Sequence, residues 1–254
     1  MKLSIVTKVT NFVLDLLFPI HCLICGKNHL PSTPSDGGGP EDHLCSSCFE
    51  KIKLKIEPEC AFCSARSVNG QTCPFCRSEH YLDFLWSATD YQEPIVKKTL
   101  WAFKYRFLRQ LAVPLSRLTH LYLRRKKIDQ FLETYRQQIV VIPIPLHRRR
   151  LNWRSYNQSE LLAQELATEF NLTLEKNILV RRKHQKPQAE LPDKLERIKN
   201  AENVFVCEEA EKIKGRTIIL VDDISTTGST LDEGAKILKQ SGAEKVIGLV
   251  VAKG

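Results

Sequence analysis

The sequence has no hydrophobic run long enough to cross a membrane, which takes about 20 successive apolar residues. Residues 1–20 come closest, but Lys8, Asn11 and Asp15 interrupt the run, and no small-residue cleavage site of a signal peptide follows. Apolar side chains recur at helical spacing up to Pro19. We therefore predict an amphipathic helix that docks on the core or a partner rather than on a membrane, and a cytoplasmic protein.

Acidic residues are nearly absent from the middle of the chain. Between Lys104 and Arg154 there are 13 Lys and Arg residues against only Asp129 and Glu133. Such a surplus forms either a solvated helix face or a surface for polyanions, meaning phosphorylated metabolites or nucleic acid. Aromatic residues interleaved with this basic segment suit the stacking of nucleic-acid bases; they are Trp101, Phe103, Tyr105, Phe107, Trp153 and Tyr156.

Cysteine, in contrast, is abundant, and eight of the nine cysteines form CxxC pairs. The pairs are Cys22/Cys25, Cys45/Cys48, Cys60/Cys63 and Cys73/Cys76. Because cytosolic disulfides are kept reduced, this density indicates metal binding. Two residues between thiolates let a turn point both sulfurs at one ion, so four pairs supply two closed, structural Cys₄ zinc sites. Sequential and cross-braced pairing both fit, and Cys207 is predicted to be a small buried residue.

The cysteine-rich region is predicted to depend on zinc for its fold. It has few apolar residues, and residues 31–40 (PSTPSDGGGP) are typical of a flexible linker. Metal binding then supplies the missing stability. We expect chelation to unfold about residues 20–80.

A strand–loop–helix pattern near the C-terminus carries the strongest functional signal. Residues 217–221 (TIILV) are typical of a strand buried on both faces, and Asp222 and Asp223 follow it. Small and hydroxyl residues up to Thr230 then lead into a helical pattern that Gly242 ends. Backbone N–H groups at such a helix start bind phosphate, and paired carboxylates suit sugar hydroxyls or hydrated Mg²⁺. The lysine of a Walker A loop is absent.

Residues 221–230 (VDDISTTGST) closely resemble the phosphoribosyl-pyrophosphate (PRPP) signature of type I phosphoribosyltransferases. Residues 140–158 (VVIPIPLHRRRLNWRSYNQ), residues 181–203 and the CxxC pairs resemble the ComF family of competence proteins over nearly the whole chain. The resemblance implies an α/β fold. A type I phosphoribosyltransferase-like parallel-sheet domain over residues 81–254 follows an amphipathic helix and zinc-ribbon module over residues 1–80.

The resemblance also assigns roles to residues. Asp222 and Asp223 are the catalytic candidates, holding the ribose hydroxyls directly or through magnesium. The residues implied to bind the 5′-phosphate are Ser225, Thr226, Thr227, Gly228, Ser229 and Thr230. The pyrophosphate is expected to bind a loop that contains His147, Arg148, Arg149, Arg150 and Arg154. A stretch resembling the mobile substrate loop contains Arg181, Arg182, Gln188 and Arg197. Where the family has Gly-Phe, this chain has Ser155-Tyr156.

Three functional hypotheses remain open at this point. The first is phosphoribosyl transfer from PRPP with magnesium, for which the zinc module could supply the acceptor-binding element. The second is single-stranded DNA binding in DNA uptake during natural transformation, with a competence helicase or recombination factor as partner and peripheral association with the membrane DNA-uptake machinery. The third is PRPP sensing without turnover. Lys104 either reaches the site or is solvated.

The remaining pattern predicts the order of the elements. Helices are expected near 93–107, 108–127, 157–170 and 229–241. Strands of a parallel sheet are expected near 139–144, 204–206, 217–221 and 246–251. Residues 81–91 are predicted to link the zinc module to the sheet.

Overall fold

The structure is a computed structural model that describes residues 21–27, 43–182 and 204–254, without the side chain of Arg148. The predicted amphipathic helix at 1–20 and the linker at 31–40 lie outside the described residues. So do residues 183–203, which include Gln188 and Arg197 of the predicted mobile loop.

A parallel five-stranded sheet forms the centre of the described structure. Its strands, in spatial order, are β1 (Phe84–Asp90), β7 (Lys245–Lys253), β6 (Thr217–Ser225), β2 (Ile139–Pro143) and β3 (Thr173–Leu174). A second, antiparallel pair consists of β4 (Leu179–Arg181) and β5 (Phe205–Cys207). β6 lies between β2 and β7, so its apolar residues are buried on both faces, which explains the unbroken TIILV run.

Eight helices lie among the described residues. They are α1 (Ser46–Phe49), α2 (Pro74–Arg77), α3 (Pro94–Tyr105), α4 (Ala112–Arg125), α5 (Ile128–Thr134), α6 (Arg148–Arg154), α7 (Gln158–Phe170) and α8 (Ser229–Gln240). Short 3₁₀ turns occupy Val68–Gly70, Arg109–Leu111, Arg136–Gln138 and Ala210–Lys212. None of these helices is long and apolar enough to traverse a bilayer.

Side chains alternate between two hydrophobic cores along β6. Ile219 and Val221 pack with residues of α3, α4 and α7, whereas Ile218 and Leu220 pack with residues of α8, β4 and β5. This alternation follows from the two-residue period of a strand. Among the described residues both faces of the sheet are therefore covered, and the ends of its strands are where a ligand is expected.

Two predicted elements are wrong. Residues 81–91 are not simply a linker, because Phe84–Asp90 form strand β1 and pair in parallel with β7. Ser87 and Thr89 hide this strand in the sequence, since both are buried polar residues whose hydroxyls donate to backbone carbonyls. The strand predicted near 204–206 exists, but it pairs antiparallel with β4 outside the parallel sheet.

Candidate phosphate-binding site and zinc centres

The eight CxxC cysteines form two separate clusters. Cys22, Cys25, Cys45 and Cys48 form the first cluster, and Cys60, Cys63, Cys73 and Cys76 form the second. Within each cluster the sulfurs lie within 4.8 Å of one another. Closest approaches include 3.8 Å between Cys25 and Cys45 and 3.6 Å between Cys63 and Cys73. Tetrahedral zinc places its sulfur ligands about 3.8 Å apart, so both clusters fit zinc, and the pairing is sequential rather than cross-braced.

The thiols within each cluster differ in acidity. Burial opposes ionisation of Cys22 and Cys60, but backbone N–H donors outweigh it and lower the pKa of each thiol to about 6. One of these donors is the amide of Cys45, 3.5 Å from the Cys22 sulfur. Burial instead raises the pKa of Cys48 to about 12. Zinc binding requires thiolates, so it would release the proton that Cys48 holds at neutral pH.

The two predicted catalytic carboxylates lie together at the C-terminal end of β6. Asp222 Oδ1 accepts hydrogen bonds from the Ser159 hydroxyl, at 2.8 Å, and from the Asp223 amide, at 2.9 Å. Asp223 is buried, and its Oδ1 lies 2.9 Å from the Lys104 ammonium. Burial and the neighbouring Asp223 charge raise the pKa of Asp222 to about 7. The two adjacent carboxylates thus suit a bound cation or sugar hydroxyls, and one lysine lies beside them.

Lys104 and Ser159 complete this acidic site from two helices. The sequence left undecided whether Lys104 reaches the site or is solvated. The structure places it in the site, near the end of α3. Ser159 was not singled out from the sequence. The sequence feature that could have indicated Ser159 is the helix start at Asn157. The Asn157 side chain accepts a hydrogen bond from the Ser159 amide, which places the Ser159 hydroxyl in the first turn of α7.

The predicted phosphate loop joins β6 to α8. Gly228 is the N-cap of α8 at φ +79°, a left-handed conformation that glycine adopts without strain, and it provides no capping side chain. The Thr227 and Ser229 hydroxyl oxygens lie 2.6 Å apart beside it. A small cavity at this turn is lined by Asp222, Ile224, Ser225, Thr226, Gly228, Ser229, Thr230 and Leu231. The predicted phosphate residues therefore surround a helix N-terminus with its partial positive charge.

The predicted pyrophosphate loop is partly helical. Residues 148–154 form α6, which begins where the His147 ring nitrogen accepts from the Arg149 amide. Arg149 is exposed. Burial and the nearby Arg150 charge lower the pKa of Arg181 to about 10, and the Asp222 charge acts in the opposite direction, so Arg181 lies within electrostatic reach of both Arg150 and Asp222. Ser155 adopts φ +63°, the conformation for which the family's glycine is suited.

A larger cavity adjoins the phosphate loop. Its volume is about 500 Å³, and it opens between α3 and the turn after β6. Its lining combines loop residues with three aromatic side chains and one cation; it comprises Tyr91, Gln92, Leu100, Trp101, Lys104, Tyr105, Ile224, Thr226, Thr227 and Gly254. The wall of this cavity away from the phosphate loop is therefore formed by α3 and the turn after β1. Residues of the zinc clusters, which the sequence left as candidates for the acceptor-binding element, do not line this cavity.

Exposed aromatic rings, the exposed Arg106 and the partly buried Arg154 form one continuous surface beside this cavity. We call it the aromatic–arginine surface; it consists of Trp101, Tyr105, Arg106, Phe107, Trp153 and Arg154. Its four aromatic residues are 40–58% exposed. Arg154 lies 5.5 Å from the Tyr105 ring and 5.7 Å from the Trp153 ring, and Phe107 contacts Trp153 at 5.4 Å. Phe103 and Tyr156, which the sequence grouped with these rings, are buried instead.

Comparison with known proteins gives two family matches. Residues 157–254 match the phosphoribosyl transferase domain, and residues 13–77 match the double zinc ribbon domain. Competence protein F of Haemophilus influenzae is 30% identical over 236 residues, covering 90% of this chain and 95% of that protein. DNA utilization protein YhgH of Escherichia coli is 29% identical, covering 80% and 93%. Competence protein ComFC of Bacillus subtilis is 28% identical, covering 80% of each. The chain therefore belongs to the ComF family, in which a double zinc ribbon accompanies a phosphoribosyltransferase domain.

Proposed function

We propose that this protein binds PRPP together with magnesium at the C-terminal end of β6, and that it serves DNA uptake in natural transformation. One observation carries the ligand assignment. The acidic pair, the turn at Gly228 and the start of α8 converge on one strand end. An anion and a polyhydroxylated ring can be held there side by side.

Each part of the site has a chemical task in this proposal. Backbone N–H groups and hydroxyls of residues 225–230 hold the 5′-phosphate, and Arg150 and Arg181 face the pyrophosphate. Asp222 and Asp223 hold the ribose hydroxyls, and they are the residues that would ligate Mg²⁺, which neutralises pyrophosphate charge when bound. Lys104 holds the Asp223 carboxylate in place through their ion pair.

Turnover requires an acceptor, and the 500 Å³ cavity offers the space for one. It adjoins the phosphate loop at Thr226 and Thr227, and aromatic residues line its opposite wall. A planar acceptor could lie there against the ribose carbon from which pyrophosphate departs. If the protein binds PRPP but transfers its phosphoribosyl group to no acceptor, so that no pyrophosphate is released, it acts as a PRPP sensor.

Calorimetric titration with PRPP and magnesium tests the ligand assignment. We expect the wild type to bind one PRPP per chain and Ser229→Ala to bind about tenfold more weakly, because a hydrogen bond to a charged group contributes about 1.5–3 kcal/mol. Ser241→Ala at the opposite end of α8 is the matched control, since its hydroxyl donates to the Ile237 carbonyl of the same helix. No heat with the wild type, or equal affinities of the two variants, would refute the assignment.

Binding of single-stranded DNA is a second function, and the aromatic–arginine surface supports it. The relatives are named for competence and DNA utilization. Aromatic rings stack on unpaired bases, and the interleaved guanidinium groups contact the phosphate backbone. A DNA strand on this surface would pass beside the phosphate loop. A competence helicase or recombination factor would be the partner that delivers or receives the strand.

Trp153→Ala should weaken binding of a fluorescent oligothymidylate about tenfold, since stacking contributes about 1–3 kcal/mol per base. The salt dependence of its affinity should stay that of the wild type, whereas Arg154→Ala should flatten the dependence of log K on log salt by about 0.7. Tyr135→Ala serves as the control, because this exposed ring precedes β2 at the opposite end of the sheet. Salt-independent binding, or an equal loss in Tyr135→Ala, would contradict the proposal.

A further inference from the structure

The first knuckle of the second zinc cluster lies directly against the phosphate loop. A Cβ atom placed on Gly228 would lie 3.0 Å from Phe62 Cε1 and 3.6 Å from the Ala61 carbonyl oxygen. Phe62 stands between the zinc-cluster residues Cys60 and Cys63. Its ring therefore packs on the one residue of the loop that adopts a left-handed conformation. Phe62 is not part of the lining of the small phosphate cavity, so it supports the loop from outside.

Phe62 is itself held by the segment that follows the second cluster. Its ring stacks on His80, with centroids 3.5 Å apart and planes 3° from parallel. His80 Nδ1 lies 2.8 Å from Asp232 Oδ2, and Asp232 belongs to the first turn of α8. The other oxygen of Asp232 accepts the amides of Tyr81 and Leu82 at 2.7 and 3.0 Å. Three polar contacts thus hold the start of α8 against residues 80–82, and the ring stack between His80 and Phe62 joins these residues to the zinc knuckle.

A buried lysine fastens the same knuckle to the strand end from which the loop departs. Lys253, only 4% exposed, lies next to Ser225 in the pairing of β7 with β6. Its ammonium donates to Glu59 Oε1 and Ser64 Oγ, both at 2.8 Å, and to the Cys60 carbonyl at 3.2 Å. Loss of the knuckle would leave this ammonium buried without those acceptors, which is costly. The knuckle therefore supports the loop at both of its ends.

We propose that zinc at the second cluster positions the phosphate loop, so that zinc binding and phosphate-ligand binding are energetically coupled. The proposal rests on the proposed function only in using PRPP as the ligand. Without zinc, the Cys60–Cys63 turn has no ion to fix it, and Phe62 loses its defined position on Gly228. The first cluster has a different environment, since Cys22, Cys45 and Cys48 pack in the core of α3, α4 and α7. By linkage, PRPP must raise the zinc affinity of the second cluster by the factor by which that zinc raises PRPP affinity.

The coupling predicts different effects for two phenylalanines of the same zinc ribbon. Phe62→Ala should weaken PRPP binding about fivefold or more in calorimetry, a typical coupling factor. Phe75→Ala is the matched control, because Phe75 lies between Cys73 and Cys76 but is 84% exposed. Both variants should retain two zinc ions per chain by elemental analysis. Equal PRPP affinities in these two variants would overturn the proposal.

Hydrogen exchange separates this proposal from the proposed function, because it needs no ligand. In Phe62→Ala, amides 226–232 should exchange faster than in the wild type, whereas in Phe75→Ala they should not. If the wild type binds no PRPP but this difference appears, the ligand assignment fails and the support of the loop by the knuckle stands. In the wild type, equilibrium competition with a chelator should show that PRPP raises the affinity of the protein for one of its two zinc ions. Unchanged exchange in Phe62→Ala, or two zinc ions unaffected by bound PRPP, would overturn the coupling.

Discussion

Removal of zinc should unfold more of the protein than the two zinc ribbons. With a strong chelator at neutral pH, we expect amide protection to disappear over residues 43–80 and to fall in β1 and α4. Cys22, Cys45 and Cys48 are buried in the same core as Trp86 and Leu118, so loss of the first cluster opens that core. Structural zinc contributes about 10–16 kcal/mol in zinc-finger peptides, as much as the whole stability of a typical domain of about 5–15 kcal/mol.

Hydrogen exchange with and without chelator, together with elemental analysis, measures this effect. The untreated protein should contain two zinc ions per chain. Cys207→Ser is the control, because Cys207 belongs to neither cluster and should leave zinc content and protection unchanged. A zinc content near zero, or identical exchange before and after chelation, would show that the clusters do not hold structural zinc.

The parts of this structure that the sequence predicted are those with local signals. Spacing alone indicated the eight zinc ligands, because a CxxC turn is a local geometry. The run from Thr217 to Thr230 likewise combines a buried strand, two acids and a glycine-containing turn within one segment. Each of these features depends on residues close together in the chain, so their patterns survive without knowledge of the tertiary fold.

The parts that the sequence did not predict depend on contacts between distant segments. The Lys104–Asp223 ion pair joins α3 to β6, and the contact between Phe62 and Gly228 joins the zinc ribbon to α8. Strand β1 escaped prediction because tertiary burial places Ser87 and Thr89 inside the core, against their usual preference for the surface. Sequential pairing of the cysteines likewise became evident only from the arrangement of the knuckles in space.

Replacement of either site carboxylate should abolish PRPP binding, but the two replacements should change stability in opposite directions. The pKa of Asp222 is raised to about 7 by burial and by the Asp223 charge, so the folded state favours the protonated form. Stability from this group is therefore complete below its unfolded pKa of about 4, and it is lost as the pH rises toward 7. Asn at position 222 carries no charge at any pH, so Asp222→Asn avoids this loss of stability. It should raise the melting temperature at pH 8 by about 3 °C.

Asp223→Asn is the matched opposite, because it leaves the partly buried ammonium of Lys104 without its carboxylate. We expect it to lower stability by about 1–3 kcal/mol at pH 8. Thermal melts from pH 5 to 8 should show the gain in stability of Asp222→Asn shrinking as the pH falls.

Magnesium-dependent PRPP binding by the wild type should weaken below about pH 7, since a protonated Asp222 no longer attracts a cation. We propose that the carboxylate pair lowers stability and binds the ligand. A destabilised Asp222→Asn at pH 8, or PRPP binding by either variant at wild-type affinity, would contradict this role. The opposed stability changes distinguish that role from general damage to the fold, because damage would lower the stability of both variants.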